Sequence, residues 1–146
     1  MADEALLVDV PLAVEGGWPP VDVEALWARV DGDGVFVVEN VPVFAMDLSR
    51  GDTIEASLEP SGRFRFARRI LRGGHATFRL IALGDERAVA DVVERLEQLG
   101  ADVIESSFPA LWAIDVPPES SVEAIRAALD EAATRDVIEF EDPRTA

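Results

Sequence analysis

The chain has 146 residues, with 29 acidic and 13 basic side chains, a net charge of −16 and no cysteine. Without cysteine there can be no disulfide, thiolate metal site, iron–sulfur cluster or thiol nucleophile. A surface this acidic repels duplex DNA and anionic lipid at long range.

The first stretch, Met1 to Val14, carries Asp3 and Glu4 where a signal peptide would be basic, so no leader is expected. Every apolar run falls short of the ~20 residues that span a bilayer. With the missing cysteines this fits a cytoplasmic protein. Leu6 to Val14 reads as extended and is closed by Gly16, Gly17, Pro19 and Pro20. Glu24 to Val30 and Val35 to Val38 read as strands joined through Asp31-Gly32-Asp33-Gly34, a hairpin turn. A further turn, Ser49-Arg50-Gly51-Asp52, leads into a strand at Thr53 to Leu58, and Pro60-Ser61-Gly62 turns again. In Arg63 to Leu71, the alternation Arg63-Phe64-Arg65-Phe66 predicts phenylalanines on one face and arginines on the other.

After Gly73-Gly74 the rhythm changes. Ala76 to Leu83 predicts a strand. Val89, Val92, Val93, Leu96 and Leu99 recur at helical spacing, with Asp85 as N-cap and Gly100 as the stop. Ala101 to Ser106 and Leu111 to Val116 predict strands. Ser120 or Ser121 caps a second helix that runs to about Thr134, and Val137 to Phe140 closes as a strand. Strand, helix, strand, strand, helix, strand is the order of a ferredoxin-like βαββαβ arrangement. The expected fold is therefore α+β. A β-rich N-terminal lobe, residues 1–73, would form a small sheet or partial barrel packed on a ferredoxin-like lobe, residues 74–146.

Several segments carry a resemblance: Leu26-Trp27, Asn40-Val41-Pro42-Val43-Phe44-Ala45, Ser49-Arg50-Gly51-Asp52 and Gly74-His75-Ala76-Thr77-Phe78-Arg79. Together the chain resembles the bacterial domain of unknown function 4265 family, from about Leu26 to Phe140. The resemblance implies no settled activity. Family members commonly place Ser before the Thr of the last motif, where this chain has Ala76, so a hydroxyl beside the histidine is missing.

Known chemistries find little to stand on. One histidine and no cysteine leave no zinc site, and a chain without lysine has no phosphate-loop lysine. Asp31-Gly32-Asp33-Gly34 begins like a calcium loop, but position twelve is Pro42 where a glutamate is required. No metal, cofactor or catalytic set is expected. His75 could act as an acid or base only with a carboxylate, for which Asp47 and Asp52 are the candidates. Arg63, Arg65, Arg68, Arg69, Arg72 and Arg79 lie in a stretch without a single acid, Pro60 to Gly84. They form either an anion site or a set of internal ion pairs. Trp27 and Trp112 are expected in the core, and Trp18, in its Gly/Pro loop, as a lid or an exposed anchor.

Three readings of function follow. The first is a non-enzymatic module, immunity-like or an adaptor, that binds a basic protein through an acidic helical face of Asp85, Glu86, Asp91, Glu94, Glu97, Glu123, Asp130 and Glu131. The second is an anionic-ligand site at the junction of the lobes, built from Arg50, Asp52, Arg65, Arg69, His75 and Arg79. The third and weakest is an enzyme using His75 with Asp52. Homodimerisation through the sheet or an edge strand is compatible with all three.

Overall fold

The computed structural model describes residues 4–45 and 47–142. The chain divides between Gly74 and His75 into two units, each with its own apolar core.

In the first unit five strands follow one another as a meander: β1 (Ala5–Pro11), β2 (Val23–Gly32), β3 (Val35–Val38), β4 (Thr53–Leu58) and β5 (Phe64–Leu71). Each pairs antiparallel with the next. β5 then returns parallel to β1, with Val8 opposite Phe64 and Asp9 opposite Arg65. The expected partial barrel is thus a closed one, which leaves it no unpaired edge. Alternate residues point inward, and Val8, Val10, Leu26, Ala28, Phe36, Val38, Ile54 and Ala56 fill the lumen. Phe64 packs edge-on against Phe36, with 4.9 Å between ring centres.

The expected Arg/Phe alternation holds from Arg63 to Phe66, with both phenylalanines packed against the barrel core; beyond Phe66, β5 slips register against β4 twice. Ala56 faces Phe66 but Glu55 faces Arg68, and Ile54 faces Arg69 but Thr53 faces Leu71, so Ala67 and Ile70 are extra residues. A strand that closes a small barrel must coil, and bulges supply the coiling. Trp27 is not a core residue. It lies between the inward-pointing Leu26 and Ala28, so strand alternation turns it outward, 48% exposed.

The second unit contains β6 (Ala76–Ala82), α1 (Glu86–Gln98), β7 (Asp102–Glu105), β8 (Leu111–Val116), α2 (Val122–Thr134) and β9 (Ile138–Glu141). Its sheet runs β7-β8-β6-β9, and every neighbouring pair is antiparallel. Phe78, Leu80, Ile114 and Val116 from the sheet pack with Val92 and Leu96 of α1 and Ile125, Leu129 and Ala132 of α2. The molecule is therefore a mixed α+β protein, mostly strand, with two helices among the described residues.

Both helices begin as their sequences predict. The Asp85 carboxylate accepts the Arg87 N–H at 3.0 Å, and the Ser121 hydroxyl accepts the Ala124 N–H at 3.1 Å. Each satisfies an otherwise orphaned first-turn donor. Of the two candidate caps, Ser120 does something else: its hydroxyl donates to the Gly100 carbonyl at 3.1 Å. Gly100 ends α1 with φ +96, a left-handed conformation that costs an L side chain energy. No helix of the described residues is long and apolar enough to cross a membrane.

Candidate functional site

The acid-free stretch from Pro60 to Gly84 does not stay acid-free in space. Arg63 grips Asp9 of β1 with Nε and Nη2, both at 2.6 Å. Arg68 meets Glu55 across β4 at 2.9 Å, and Arg65 reaches Glu59 at 3.8 Å. Arg69 and Arg72 converge on the Asp47 carboxylate, each at 3.0 Å, and Arg69 also donates to the Asp47 carbonyl. Arg79 on β6 pairs with Glu141 on β9 at 3.1 Å. All six arginines are thus paired with carboxylates of their own chain. The reason is topological: strand neighbours far apart in sequence bring acids beside a locally basic segment.

These pairs leave a mark on the acids. Hydrogen bonds from Arg63 hold the Asp9 carboxyl below its ordinary value, against the opposing effect of burial. At Asp47 burial pushes upward, but the hydrogen bonds and charges of Arg69 and Arg72 together outweigh it, and that carboxyl also sits low. Asp9 in turn raises Arg63.

Of the six residues expected to share one ligand site, Arg50, Asp52, Arg65 and Arg69 are in the first unit and His75 and Arg79 are in the second. Arg65 and Arg69 have different acidic partners. Asp52 is buried, and its two oxygens accept the backbone N–H groups of Ser49 at 3.0 Å and Gly73 at 2.9 Å. It ties the Ser49–Asp52 turn to the Gly-Gly loop. It is not the carboxylate that holds His75.

That carboxylate is Asp115. From β8, with 1% of its surface exposed, Asp115 faces Nδ1 of His75 at 2.9 and 3.1 Å. The strand register brings this about, because Asp115 lies opposite Thr77, two residues beyond His75 and on the same side of β6. The signal in the sequence was one charged residue inside Leu111-Trp112-Ala113-Ile114-Asp115-Val116. A charge inside an apolar strand is tolerated only with partners.

Two further residues escaped sequence reasoning. Arg126 sits on the buried side of α2 among Val122, Ile125 and Leu129, and pairs with Asp142 at 2.5 Å and Glu123 at 2.7 Å. Its guanidinium lies 5.5 Å from the centre of the Phe78 ring. The Asp142 hydrogen bond is the main reason that Arg126 is raised. Glu24 enters the barrel end from β2 and accepts N–H groups of Val43, Phe44 and Ala45 at 2.7, 3.0 and 2.8 Å. It holds the Asn40–Ala45 loop in place of a strand. Nothing local in the sequence announces that role.

The carboxylates of the helical face are where the periodicity puts them. Asp85, Glu86, Asp91, Glu94 and Glu97 around α1, and Glu123, Asp130 and Glu131 on α2, are all exposed. Glu123 is committed to Arg126, and Glu131 lies 3.9 Å from Arg135. Among the described residues Glu86, Asp91, Glu97 and Asp130 form no ion pair. The unit from His75 onward carries sixteen acids against six arginines, a net −10 of the total −16. Also among the described residues, no group of three or more His, Asp or Glu side chains is placed to hold a metal ion.

Comparison with known proteins gives the fold a relative. A crystal structure described as that of a hypothetical protein from Neisseria gonorrhoeae is similar, with a TM-score of 0.76 at 17% identity, covering 98% of this chain and 94% of that one. At that identity the likeness concerns the fold alone. No curated protein matches. The family model described as domain of unknown function (DUF4265) matches residues 24–140, and the chain belongs to that family.

Proposed function

We propose that the protein is a non-enzymatic interaction module that binds a basic protein partner through the solvent face of α1 and α2. One observation carries this reading: Glu86, Asp91, Glu97 and Asp130 stand in solvent with no ion pair among the described residues, whereas the arginines of the 63–79 stretch are paired internally. The charge left over for a partner is negative. Such a surface speeds encounter with a basic partner and discriminates against acidic ones. The same pairing weighs against the alternative, an anion site built from Arg50, Asp52, Arg65, Arg69, His75 and Arg79. We read the sheet order β7-β8-β6-β9, with its two helices, as a ferredoxin-like split βαβ arrangement, a scaffold that hosts many functions and selects none. The bacterial cytoplasm is the setting we assign to the interaction.

The test compares the full chain with a variant carrying Glu86→Gln, Asp91→Asn, Glu97→Gln and Asp130→Asn in affinity capture from native lysate at low and moderate salt. A basic partner held by the wild type, lost with rising salt and not held by the variant is the expected result. Equal capture by both proteins, an acidic partner or no partner at all overturns the reading.

A further inference from the structure

The chain has one histidine and no cysteine, lysine or tyrosine, and its remaining basic side chains are arginines. Arginine stays protonated and offers no lone pair. His75 is therefore the only side chain that supplies a nitrogen or sulfur nucleophile near neutral pH. The structure holds its ring in one orientation, with Nδ1 facing both oxygens of Asp115 at 2.9 and 3.1 Å. An ionised carboxylate only accepts hydrogen bonds, so Nδ1 carries the proton and the lone pair is left on Nε2. Asp115 has other interactions too, but the tautomer follows from the bond to Nδ1 alone.

Nε2 is open. It has no hydrogen-bond partner among the described residues, and no polar side-chain atom among them is both buried and unpartnered. Nε2 therefore meets solvent, on a side chain 21% exposed. The surroundings also suit a bond formed there. When Nε2 attacks an acyl carbon, the ring becomes cationic while the Nδ1 proton remains. The Asp115 oxygens face that proton and stabilise the charge as it develops. Charge selects the electrophile as well. Asp115 lies beside the ring, and the unit from His75 onward carries sixteen acids against six arginines. Anionic donors are repelled there, whereas neutral acyl groups are not.

We infer that Nε2 of His75 is a covalent acceptor site for neutral acyl electrophiles, with Asp115 as the residue that positions the ring. In the step, the Nε2 lone pair forms the C–N bond and the bond from the acyl carbon to the leaving group breaks. The leaving group departs with the electron pair as an anion, and the Nδ1 proton stays between the acylated ring and Asp115. This goes beyond the proposed interaction role and does not depend on the acids of α1 and α2.

The experiment treats the full chain with diethyl pyrocarbonate, a neutral acyl donor, and in parallel with phosphoramidate, an anionic phosphoryl donor. Ultraviolet absorbance and peptide mass follow the two reactions, and each rate is divided by that of free N-acetylhistidine. Imidazole nitrogen spectra of the untreated, isotope-labelled protein report the tautomer without any substitution. The expected result is the Nδ1–H tautomer and one acyl group on Nε2 of His75. The relative rate with diethyl pyrocarbonate should be roughly tenfold above that with phosphoramidate, and above that of Asp115→Asn by a similar factor. Circular dichroism establishes that Asp115→Asn is folded before its rate is compared; if it is not, the tautomer and the two-reagent comparison decide. The Nε2–H tautomer, no acylation of His75, no preference for the neutral reagent, or a folded Asp115→Asn that reacts as fast as wild type overturns the inference.

Discussion

Asp115 and His75 show how one residue's environment is set by another far along the chain. A carboxylate with 1% exposure loses nearly all of its hydration, and hydrogen bonds must replace it. His75 supplies one of those replacements from the start of β6. His75→Ala removes a partner of a buried acid, so unfolding stability should fall by about 1–3 kcal/mol, the cost of leaving a buried polar group short of a bond. Asp115→Asn retains the shape and removes the charge, and it should cost less than Asp115→Ala. Urea unfolding of the three variants and of the His75→Ala/Asp115→Asn pair checks this. Additive losses would mean that the two side chains do not interact energetically.

At the scale of elements, the boundary between α1 and β7 depends on two residues that fit each other. A Cβ on Gly100 would stand 2.3 Å from the Ser120 hydroxyl oxygen, and the backbone there is left-handed. Gly100→Ala should therefore cost about 1 kcal/mol or more from backbone conformation alone, and the clash adds to it. Adding Ser120→Ala removes the close oxygen but not the positive φ, so thermal unfolding should show partial rescue. Full rescue would place the whole cost in the clash, and no rescue would place it in the backbone. The helices were legible because caps, apolar spacing and stop signals all agree within fifteen residues. The bulges at Ala67 and Ile70 were not, since curvature is demanded by β4 and β1, which lie elsewhere in the chain.

For the whole molecule the governing quantity is a charge of −16, distributed so that the basic segment is consumed internally. Its acid behaviour follows from Asp9 and Asp47, whose carboxyls sit below the ordinary value of 3.8 in the folded chain. A depressed folded value means that the contribution to stability is present above 3.8 and is lost as pH falls through the lower folded value. The pairs are largely exposed, so each contributes modestly. Asp9→Asn and Asp47→Asn should be less stable than wild type near neutrality, and the difference should shrink as pH drops below about 4. Parallel stability curves down to strong acid would show that these ion pairs carry no weight.

The sequence by itself determined the α+β class, the order of strands and helices after Gly74, the helix caps, the outward carboxylates of α1 and α2 and the family. All of these depend on residues within a few turns of one another, where spacing is a direct record of geometry. Only the tertiary structure decided which charges remain unspent. The arginines from Arg63 to Arg79 look like a site in the sequence because the nearest acids in the chain lie outside their stretch. Barrel closure and strand pairing bring Asp9, Asp47, Glu55, Glu59 and Glu141 against them. His75 likewise gained Asp115 through the β6–β8 register. Charge cancels in space, and sequence distance does not measure space.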